Sequence, residues 1–596
     1  MDLFSIKSPQ FLKSLSNDEL DGVAGEIREF LIESISKTGG HLASNLGVVE
    51  LTIALHKVFD MPKDKIIYDV GHQVYTHKIL TGRAGRFSTL RQFNGLSGFP
   101  KREESFYDSF ETGHSSTSIS AAAGIVNANV QAGKNDQVIA LIGDGSMTGG
   151  MAFEAINYFG HTNQKMIIVL NDNEMSISNN VGALSRLLKN IRSSKKYINF
   201  KKYMPRFMKR PMHKITDALK YTVEGTNIFE TLGYKYYGPI DGHSIPKLIK
   251  ILEVAKASTK PVIVHVKTKK GKGYSPAEND QTKYHGIGYY EVENGNTVPK
   301  GLSWSEGVSS IINDLVTEPL TIITPAMIHG SGLSVFSKRN LIDVGIAEAH
   351  ASTMAAGVAV SGQLVYLPLY STFAQRAYDS ILHDIARQDL HVVIGIDRSG
   401  IVPQDGDTHQ GIFDVSMFNA MPNMVITMPK DLNEAKELLK YGFYKNDSPF
   451  VIRYPKGAAY DGVVSSEITA PSWLTEVNGS KINIITYGPN VNRLIKLSLN
   501  NGVDANIINA RFIKPMDITM LDKTINNELP ILIIEEVVES GSLGQQIATY
   551  IAKKTFRKLK LMNISSMPQH GDVENLRRVQ GLDDKNILKE IKKLCD

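Results

Sequence analysis

Short apolar runs separated by polar tripeptides mark the first third of this chain. Residues 138–142 and 166–170 are continuously apolar and short, which predicts two buried strands. Between them, residues 151–159 carry apolar side chains at helical spacing. This order predicts a strand–turn–helix–strand unit, and its strands should be parallel because a crossover helix connects them.

A polar tripeptide follows each of the two predicted strands: Gly143-Asp144-Gly145 and Asn171-Asp172-Asn173. In open α/β sheets, ligands bind at the carboxyl ends of the strands. Asp144 offers a carboxylate and Asn173 an amide oxygen, and Mg²⁺ prefers such oxygen ligands together with phosphates. The glycines permit a tight turn, and the start of the next helix favours an anion. The pair predicts a metal–diphosphate site, although either tripeptide alone is more typical of a loop.

The same alternation of strands and helices continues to the end of the chain and predicts parallel sheets throughout. A glycine-rich loop is predicted at residues 39–45 and a linker at residues 275–301. We therefore predict an α/β protein of three domains, each with a mainly parallel sheet flanked by helices. Their predicted bounds are 1–300 for a diphosphate- and metal-binding domain, 301–472 for a second domain and 473–596 for a C-terminal domain. Further helices are predicted at residues 18–35 and 48–59, and further strands at 261–266, 341–344, 364–367, 392–397, 482–485 and 531–535.

One segment, residues 185–222, departs from this pattern because it is strongly basic and lacks regular periodicity. A charged stretch of this kind is more often a mobile surface excursion than a nucleic-acid patch. We therefore predict a mobile basic segment and no nucleic-acid partner.

Bulk composition narrows the class of protein. The chain has 596 residues, of which 42% are hydrophobic and 21% charged, which is typical of globular proteins and too long for one core. Its 66 basic and 61 acidic residues nearly balance, so charge gives no reason to expect nucleic acid. The single cysteine, Cys595, excludes a disulfide within the chain. Neither a leader peptide nor a bilayer-length apolar run is visible, so we expect a cytoplasmic protein without membrane contact.

A second set of chemically useful residues follows the strands predicted after residue 300. Glu348 lies beyond a strand where a helix begins, and the stretches 370–376, 397–400 and 404–411 follow later strands. Taken singly, each has an ordinary explanation, such as a carboxylate favoured at a helix start. Together they place an acid, an aromatic residue, arginines and a histidine on loops at strand ends.

These segments resemble the transketolase superfamily of thiamine-diphosphate enzymes, and most closely the 1-deoxy-D-xylulose-5-phosphate synthase family. The resemblance covers nearly the whole chain. It is most specific at residues 38–47, 69–73, 113–118, 143–145, 171–178, 370–373 and 408–411.

The resemblance implies a bound thiamine diphosphate and a Mg²⁺ ion. Asp144 and Asn173 would bind the metal through their side chains, and Met175 through its carbonyl oxygen. Phe373 would stack on the aminopyrimidine, and Glu348 would hydrogen-bond a pyrimidine nitrogen and so tune the acid–base behaviour of the cofactor. The further cofactor contacts implied are His72, Gly113, His114, Ser115, Gly145, Ser146, Asn173, Ile177, Lys270 and Tyr274.

The implied reaction condenses pyruvate with D-glyceraldehyde 3-phosphate, with loss of CO₂, to give 1-deoxy-D-xylulose 5-phosphate, a precursor of isoprenoids, thiamine and pyridoxal. Arg398 and Arg453 would bind the acceptor phosphate through charge-assisted hydrogen bonds. The family also implies a homodimer. The remaining substrate and proton-transfer residues are Tyr370, Arg376, His41, His285, His409 and Asp405, the last of which would orient His409 or bind an acceptor hydroxyl.

Two alternatives to this function stay open. One is another thiamine-diphosphate enzyme, either a transketolase or a pyruvate dehydrogenase component, and the other is a catalytically inactive relative. The chain departs from its family at Glu348-Ala349-His350, where the family's usual middle residue is glutamine, so a polar contact beside Glu348 is lost. It also has fewer glycines at residues 535–544 than the family, which affects packing more than chemistry.

Overall fold

The computed structural model describes residues 2–162, 164–173, 181–183, 186, 228–298, 301–462, 465–555 and 557–596. They form two compact units, Met1–Val298 and Pro299–Asp596. Met175, Ile177 and nearly all of the basic segment 185–222 lie outside the described residues. No helix in the described part of the chain is both long enough and apolar enough to cross a membrane.

The first unit contains a five-stranded sheet in the order β1-β2-β3-β5-β4, and every neighbouring pair is parallel. Gly143 pairs with Asn171 in the register of β2 and β3, so the two polar tripeptides lie side by side at one sheet edge. The predicted strand–helix–strand unit is therefore confirmed. The strands are β1 Lys65–Tyr68, β2 Val138–Gly143, β3 Ile167–Asp172, β4 Lys235–Asp241 and β5 Val262–Lys267.

Helices pack on this sheet through apolar faces, and their ends follow local capping signals. The helix Asn17–Thr38 begins with a capping box, in which Ser16 and Glu19 satisfy each other's backbone N–H groups. The other helices of this unit are Leu42–Leu46, Val49–Val58, Tyr75–Lys78, Ser118–Gln131, Gly150–Thr162, Ile228–Thr231, Ile245–Ala257 and Ser275–Asn279.

Two sequence predictions for this unit are wrong in part. The predicted loop 39–45 turns into the helix Leu42–Leu46, all of whose residues are buried. The predicted linker 275–301 is packed against the unit: Tyr284 and Tyr290 are each only 1% exposed, and the hydroxyl of Tyr290 donates to the carbonyl of Ile32 at 2.6 Å. Its polar composition suggested a linker, but its tyrosines anchor it.

The second unit contains two sheets, which share one apolar core. The larger has seven strands in the order β15-β10-β11-β9-β8-β6-β7, and it is parallel except for the pairing of β15 with β10. Its strands are β6 Leu320–Thr324, β7 Asn340–Asp343, β8 Leu364–Tyr370, β9 Val393–Asp397, β10 Val425–Thr427, β11 Phe450–Tyr454 and β15 Phe512–Lys514.

The smaller sheet of the second unit has the order β12-β14-β13-β16-β17 and is antiparallel only between β12 and β14. Its strands are β12 Leu474–Val477, β13 Ile482–Thr486, β14 Ala505–Asn509, β16 Ile531–Val538 and β17 Leu559–Ile564. The helices of the second unit are Trp304–Leu315, Glu348–Val360, Ser371–Ala374, Tyr378–Ser380, Asp414–Asn419, Leu432–Tyr444, Asn490–Asn501, Ile518–Asn526, Leu543–Ala552, Val573–Val579 and Asp584–Cys595.

Three mainly parallel sheets flanked by helices confirm the predicted fold class. The strand β15 belongs to the larger sheet of the second unit although it lies well beyond residue 472. The division of the chain at residues 300 and 472 stays a prediction.

Candidate active site

Two carboxylates are buried together at the ends of β2 and β3. Asp144 is 4% exposed and Asp172 is fully buried. Burial, reinforced by the neighbouring Asp172 carboxylate, raises the pKa of Asp144 well above its ordinary value. Two buried carboxylates cannot both ionise cheaply without a cation, so this donor set fits a divalent metal with oxygen ligands.

A chain of buried hydrogen bonds lies behind these carboxylates. Nε2 of His265 is 2.9 Å from Oδ2 of Asp172, and Nδ1 of the same ring is 2.5 Å from the hydroxyl of Tyr236. Because His265 and Asp172 are both fully buried, these hydrogen bonds fix the orientation of the Asp172 carboxylate. Sequence reasoning missed both His265 and Tyr236, since a histidine or tyrosine inside an apolar strand carries no signal of its own.

The loop that contains Gly113, His114 and Ser115 is tied to the same sheet edge. The carboxylate of Asp69, just after β1, accepts from the backbone N–H of Ser116 at 2.7 Å and of Ser118 at 3.0 Å. The hydroxyl of Ser116 then donates to the carbonyl of Ser146 at 2.8 Å. The loop at 113–115 and the turn at Gly145 and Ser146 are thus held together, as expected for two parts of one diphosphate site.

Three predicted site histidines, His41, His72 and His285, lie together in the first unit. The centroid of the His72 ring is 5.5 Å from that of His41 and 5.2 Å from that of His285, and the His41 and His285 centroids are 5.9 Å apart. Burial and the nearby positive charge of Lys270 lower the pKa of His285 well below its ordinary value. A histidine in this state is neutral and offers a proton acceptor at neutral pH.

Asn45 holds two of these histidines in place. Its amide nitrogen donates to the carbonyl oxygens of His41 and His72, at 2.7 Å each, and its side-chain oxygen accepts from the backbone N–H of Tyr75 at 2.8 Å. The side chain is fully buried. Sequence reasoning noted Asn45 only as part of a motif and assigned it no function.

Lys270 lies on a loop that is hydrogen-bonded to the helix Leu42–Leu46, which also contains Asn45. The backbone N–H of Gly271 donates to the carbonyl of Ala43 at 2.8 Å. Lys270 is 4% exposed, and its burial lowers its pKa to about 8. Tyr274, farther along the loop, donates its hydroxyl to the carbonyl of Val292 at 2.9 Å, and its part in cofactor binding stays a prediction.

In the second unit, Glu348 begins the helix Glu348–Val360 and is 6% exposed. Burial raises the pKa of its carboxyl, and the nearby positive charge of Arg376 acts in the opposite direction. A carboxyl group in such a place holds a proton more readily than one in water and can donate it in a hydrogen bond.

Four further predicted residues of the second unit form one cluster: Tyr370, Phe373, Arg398 and His409. The ring of Phe373 stacks on Tyr370 with centroids 5.3 Å apart and meets the His409 ring edge-on at 5.7 Å. The guanidinium carbon of Arg398 lies 3.8 Å from the centroid of the Tyr370 ring. Nε of Arg398 is buried and has no hydrogen-bond partner among the described residues.

Lys456 is a cation that sequence reasoning missed. Its Nζ lies 2.7 Å from Oδ2 of Asp405, and it is partly exposed. The Nδ1 of His409, in contrast, is 2.7 Å from the hydroxyl of Thr408. Lys456 is therefore the cationic partner of Asp405. The negative charge of Asp405 also acts on Arg398, so Lys456 and Arg398 are two cations near the same carboxylate. The signal available in the sequence was the lysine three residues after Arg453.

The prediction that Arg453 binds the acceptor phosphate needs correction. Arg453 is 1% exposed, and its Nε and Nη2 donate to the two oxygens of Asp414 at 3.0 and 2.8 Å. It lies on β11, whose five residues are all buried, so its side chain points into the protein and requires a buried counterion. The guanidinium of Arg453 is therefore already paired with a buried carboxylate, that of Asp414.

Comparisons with known proteins match the whole chain. Three family models match: "1-deoxy-D-xylulose-5-phosphate synthase" at residues 3–268, "Transketolase, pyrimidine binding domain" at 301–460 and "Transketolase, C-terminal domain" at 472–587. A 1-deoxy-D-xylulose-5-phosphate synthase of Macrococcus caseolyticus is 47% identical, with 100% of this chain and 99% of the relative covered. One of Listeria welshimeri is 46% identical, with 100% and 98% covered. The transketolase structure from Campylobacter jejuni is 17% identical with a TM-score of 0.43, with 97% of this chain and 100% of that one covered.

The fold and the matched models define a thiamine-diphosphate-dependent transferase of the transketolase superfamily. Within that class, the chain belongs to the 1-deoxy-D-xylulose-5-phosphate synthase family, because relatives of that name share nearly half of its residues over its full length.

Proposed function

We propose that this chain condenses pyruvate with D-glyceraldehyde 3-phosphate and releases CO₂ and 1-deoxy-D-xylulose 5-phosphate. Three carbons from each substrate give a five-carbon product and CO₂, and the net reaction takes up one proton. The observation that carries the proposal is the cluster of Arg398, Tyr370, Phe373 and His409 in a chain of this family. It combines a cation for a phosphate, an aromatic face and a proton-transfer group.

Residues of the first unit would hold the diphosphate and the metal. Asp144 and Asn173, with the carbonyl of Met175, are the proposed Mg²⁺ ligands, and the pairing of two buried carboxyl groups, Asp144 and Asp172, supports a cation there. Lys270 and the loops at 113–115 and 145–146 are the proposed diphosphate contacts. Calorimetric titration of the wild type and of Asp144→Asn with Mg²⁺, in the presence of thiamine diphosphate, tests this assignment without an activity readout. Equal Mg²⁺ affinity in the two proteins would contradict the assignment of Asp144 as a metal ligand.

Residues of the second unit would act on the pyrimidine end and the acceptor. Thiamine diphosphate, when bound, supplies the carbanion that adds to pyruvate and accepts the electrons left by CO₂. Glu348 holds a proton for the pyrimidine nitrogen, which its raised pKa supports. Arg398 binds the acceptor phosphate, with Lys456 as the second cation in place of Arg453.

The proton taken up in the reaction requires an acid close to the reacting carbons. His41, His72 and His285 lie within 6 Å of one another by ring centroids, and His409 is the candidate in the second unit. We propose that His41, His285 and His409 share the proton transfers, with the neutral His285 as a proton acceptor.

The experiment that tests the proposed function is product identification. The purified chain is incubated with Mg²⁺, thiamine diphosphate, ¹³C-labelled pyruvate and D-glyceraldehyde 3-phosphate, and the products are read by NMR. Labelled 1-deoxy-D-xylulose 5-phosphate supports the proposal. Acetolactate, or acetyl transfer to a lipoyl group, would instead assign the chain to another thiamine enzyme.

We further propose that the chain acts as a homodimer in the cytoplasm. The family resemblance supports the dimer, as does the ring of Phe106, which is 73% exposed and stacks on the partly buried Tyr107. The single, exposed Cys595 fits a reducing compartment. Light scattering of the purified chain should give the mass of two copies, and cell fractionation should recover it with cytoplasmic proteins.

A further inference from the structure

Arg398 has an unusual backbone conformation for its residue type. Its φ angle is +61°, in the left-handed region that side chains other than glycine rarely adopt. Such a conformation persists only where the surrounding contacts enforce it, and it is often found at functional sites.

Ser399 supplies the first of these contacts. Its backbone N–H donates to the carbonyl of Tyr454 at 3.0 Å, which ties the turn to β11. Its hydroxyl lies 2.8 Å from Oδ2 of Asp414 and 3.1 Å from the carbonyl of Ile396. Ser399 is 1% exposed, so water does not compete for these bonds.

Close packing supplies the second contact. A Cβ atom added to Gly411 would lie 2.0 Å from the carbonyl oxygen of Arg398, so only glycine fits beside this turn. Gly400 and Gly411 also exchange backbone hydrogen bonds, with N–O distances of 2.6 and 3.0 Å. The turn is thus fixed on one side by glycine packing and on the other by Asp414.

Asp414 is in turn held by Arg453. The pair is bidentate, with distances of 3.0 and 2.8 Å, and both side chains are fully or almost fully buried. The guanidinium of Arg453 also lies 5.7 Å from the centroid of the Tyr487 ring, whose hydroxyl donates to Glu535 at 2.8 Å. This network joins the two sheets of the second unit behind Arg398.

We propose that Ser399 and Asp414 are positioning residues for Arg398. The buried Arg453–Asp414 pair holds the hydroxyl of Ser399, and Ser399 keeps the backbone of Arg398 turned so that its guanidinium lies on Tyr370. The inference rests on the proposed binding of the acceptor phosphate by Arg398. It assigns to the buried pair the selectivity for a phosphorylated aldehyde, although neither Asp414 nor Arg453 contacts the acceptor.

The test compares two acceptors that differ only by the phosphate. For the wild type and each variant, kcat/KM is measured for D-glyceraldehyde 3-phosphate and for D-glyceraldehyde, with saturating pyruvate, and the ratio is the phosphate preference. The test variants are Ser399→Ala and Asp414→Asn, and Arg398→Gln is the reference for loss of phosphate contact. Ser309→Ala is the matched control, because Ser309 is also fully buried and its hydroxyl also donates to a carbonyl, that of Ser331, at 3.0 Å.

We expect Ser399→Ala and Asp414→Asn to lower the phosphate preference at least about fivefold, through a higher KM for the phosphorylated acceptor, since a charge-assisted contact is misplaced. The control should leave it unchanged, and adding Ser399→Ala to Arg398→Gln should cause no further loss. A preference within twofold of the wild type in Ser399→Ala, with a loss in Arg398→Gln, would overturn the inference and leave the proposed function standing. A preference unchanged in Arg398→Gln would overturn the phosphate assignment itself. If Asp414→Asn does not fold, Ser399→Ala decides alone.

Discussion

Replacing Asn45 by aspartate changes one amide into a carboxylate and leaves the volume of the side chain almost unchanged. The amide nitrogen now donates to the carbonyls of His41 and His72 at 2.7 Å each. A carboxylate has no donor to offer, so both hydrogen bonds are lost at a position where the side chain of residue 45 is fully buried. The bond accepted from Tyr75 at 2.8 Å can remain.

The size of the effect follows from these two lost bonds. A buried hydrogen bond contributes about 0.5–1.5 kcal/mol, so the loss of two costs about 1–3 kcal/mol. That is a measurable part of the stability of an ordinary domain, about 5–15 kcal/mol. Because the lost bonds join the segments of His41 and His72, the destabilisation should be local to residues 41–48 and 70–78, and it should disturb the spacing of the two rings.

The assay has a local and a functional part. Hydrogen exchange followed by mass spectrometry should show faster exchange at residues 41–48 and 70–78 in Asn45→Asp. Calorimetry should show the dissociation constant of thiamine diphosphate raised at least about tenfold, equivalent to about 1.4 kcal/mol. Asn483→Asp is the matched control: Asn483, in the second unit, is also fully buried, and its amide donates to Thr524 at 3.2 Å and Asn527 at 2.9 Å.

The control should lose stability in the second unit and keep its affinity for thiamine diphosphate. An Asn45→Asp protein that loses stability in its own unit but binds the cofactor and turns over like the wild type would contradict the prediction. In that case the amide would stabilise the fold without holding the two histidines for function.

Three further predictions concern Glu348, Asp144 and Arg453. Glu348→Gln should fold and bind thiamine diphosphate but lose at least about a hundredfold in kcat, because an amide cannot exchange the proton; a kcat within twofold of the wild type would remove its assigned function. The pKa of Asp144 is raised in the folded apo protein, so that protein holds a proton that the unfolded chain has lost, and its stability should fall as pH rises between the ordinary and the raised pKa. Asp144→Asn should flatten this dependence in thermal unfolding with EDTA, and an unchanged slope would contradict the burial argument. Arg453→Met should cost about 3–5 kcal/mol of stability because Asp414 is left as an uncompensated buried charge, whereas Arg398→Gln should change the acceptor KM with little change in Tm.

The parts of the fold that the sequence predicts well are the buried parallel strands. Strands covered on both faces are continuously apolar, so β2, β3, β9 and β13 stand out from their surroundings. The strands β12 and β15 were not predicted, because they are short, lie at sheet edges and run antiparallel to their neighbours. Segment 275–298 was predicted to be a linker because most of its residues are polar. It packs against the first unit through Tyr284 and Tyr290, which are buried.

The candidate site was predictable where a polar residue follows an apolar strand, as for Asp144, Glu348 and Arg398. It was not predictable where a polar side chain acts through the backbone or inside a strand. Asn45 and His265 are of this kind, because their effect depends on partners distant in sequence. The two arginines of the second unit show the limit most clearly. Arg398 follows a strand and packs on the ring of Tyr370, whereas Arg453 lies within a buried strand and forms an ion pair with Asp414.

The decisive measurement is the identity of the product formed from pyruvate and D-glyceraldehyde 3-phosphate with Mg²⁺ and thiamine diphosphate. We predict equimolar CO₂ and 1-deoxy-D-xylulose 5-phosphate from the wild-type chain, and neither above background from Glu348→Gln. Acetolactate as the main product, or no carbon–carbon bond formed onto the phosphorylated aldehyde, would contradict the proposed function.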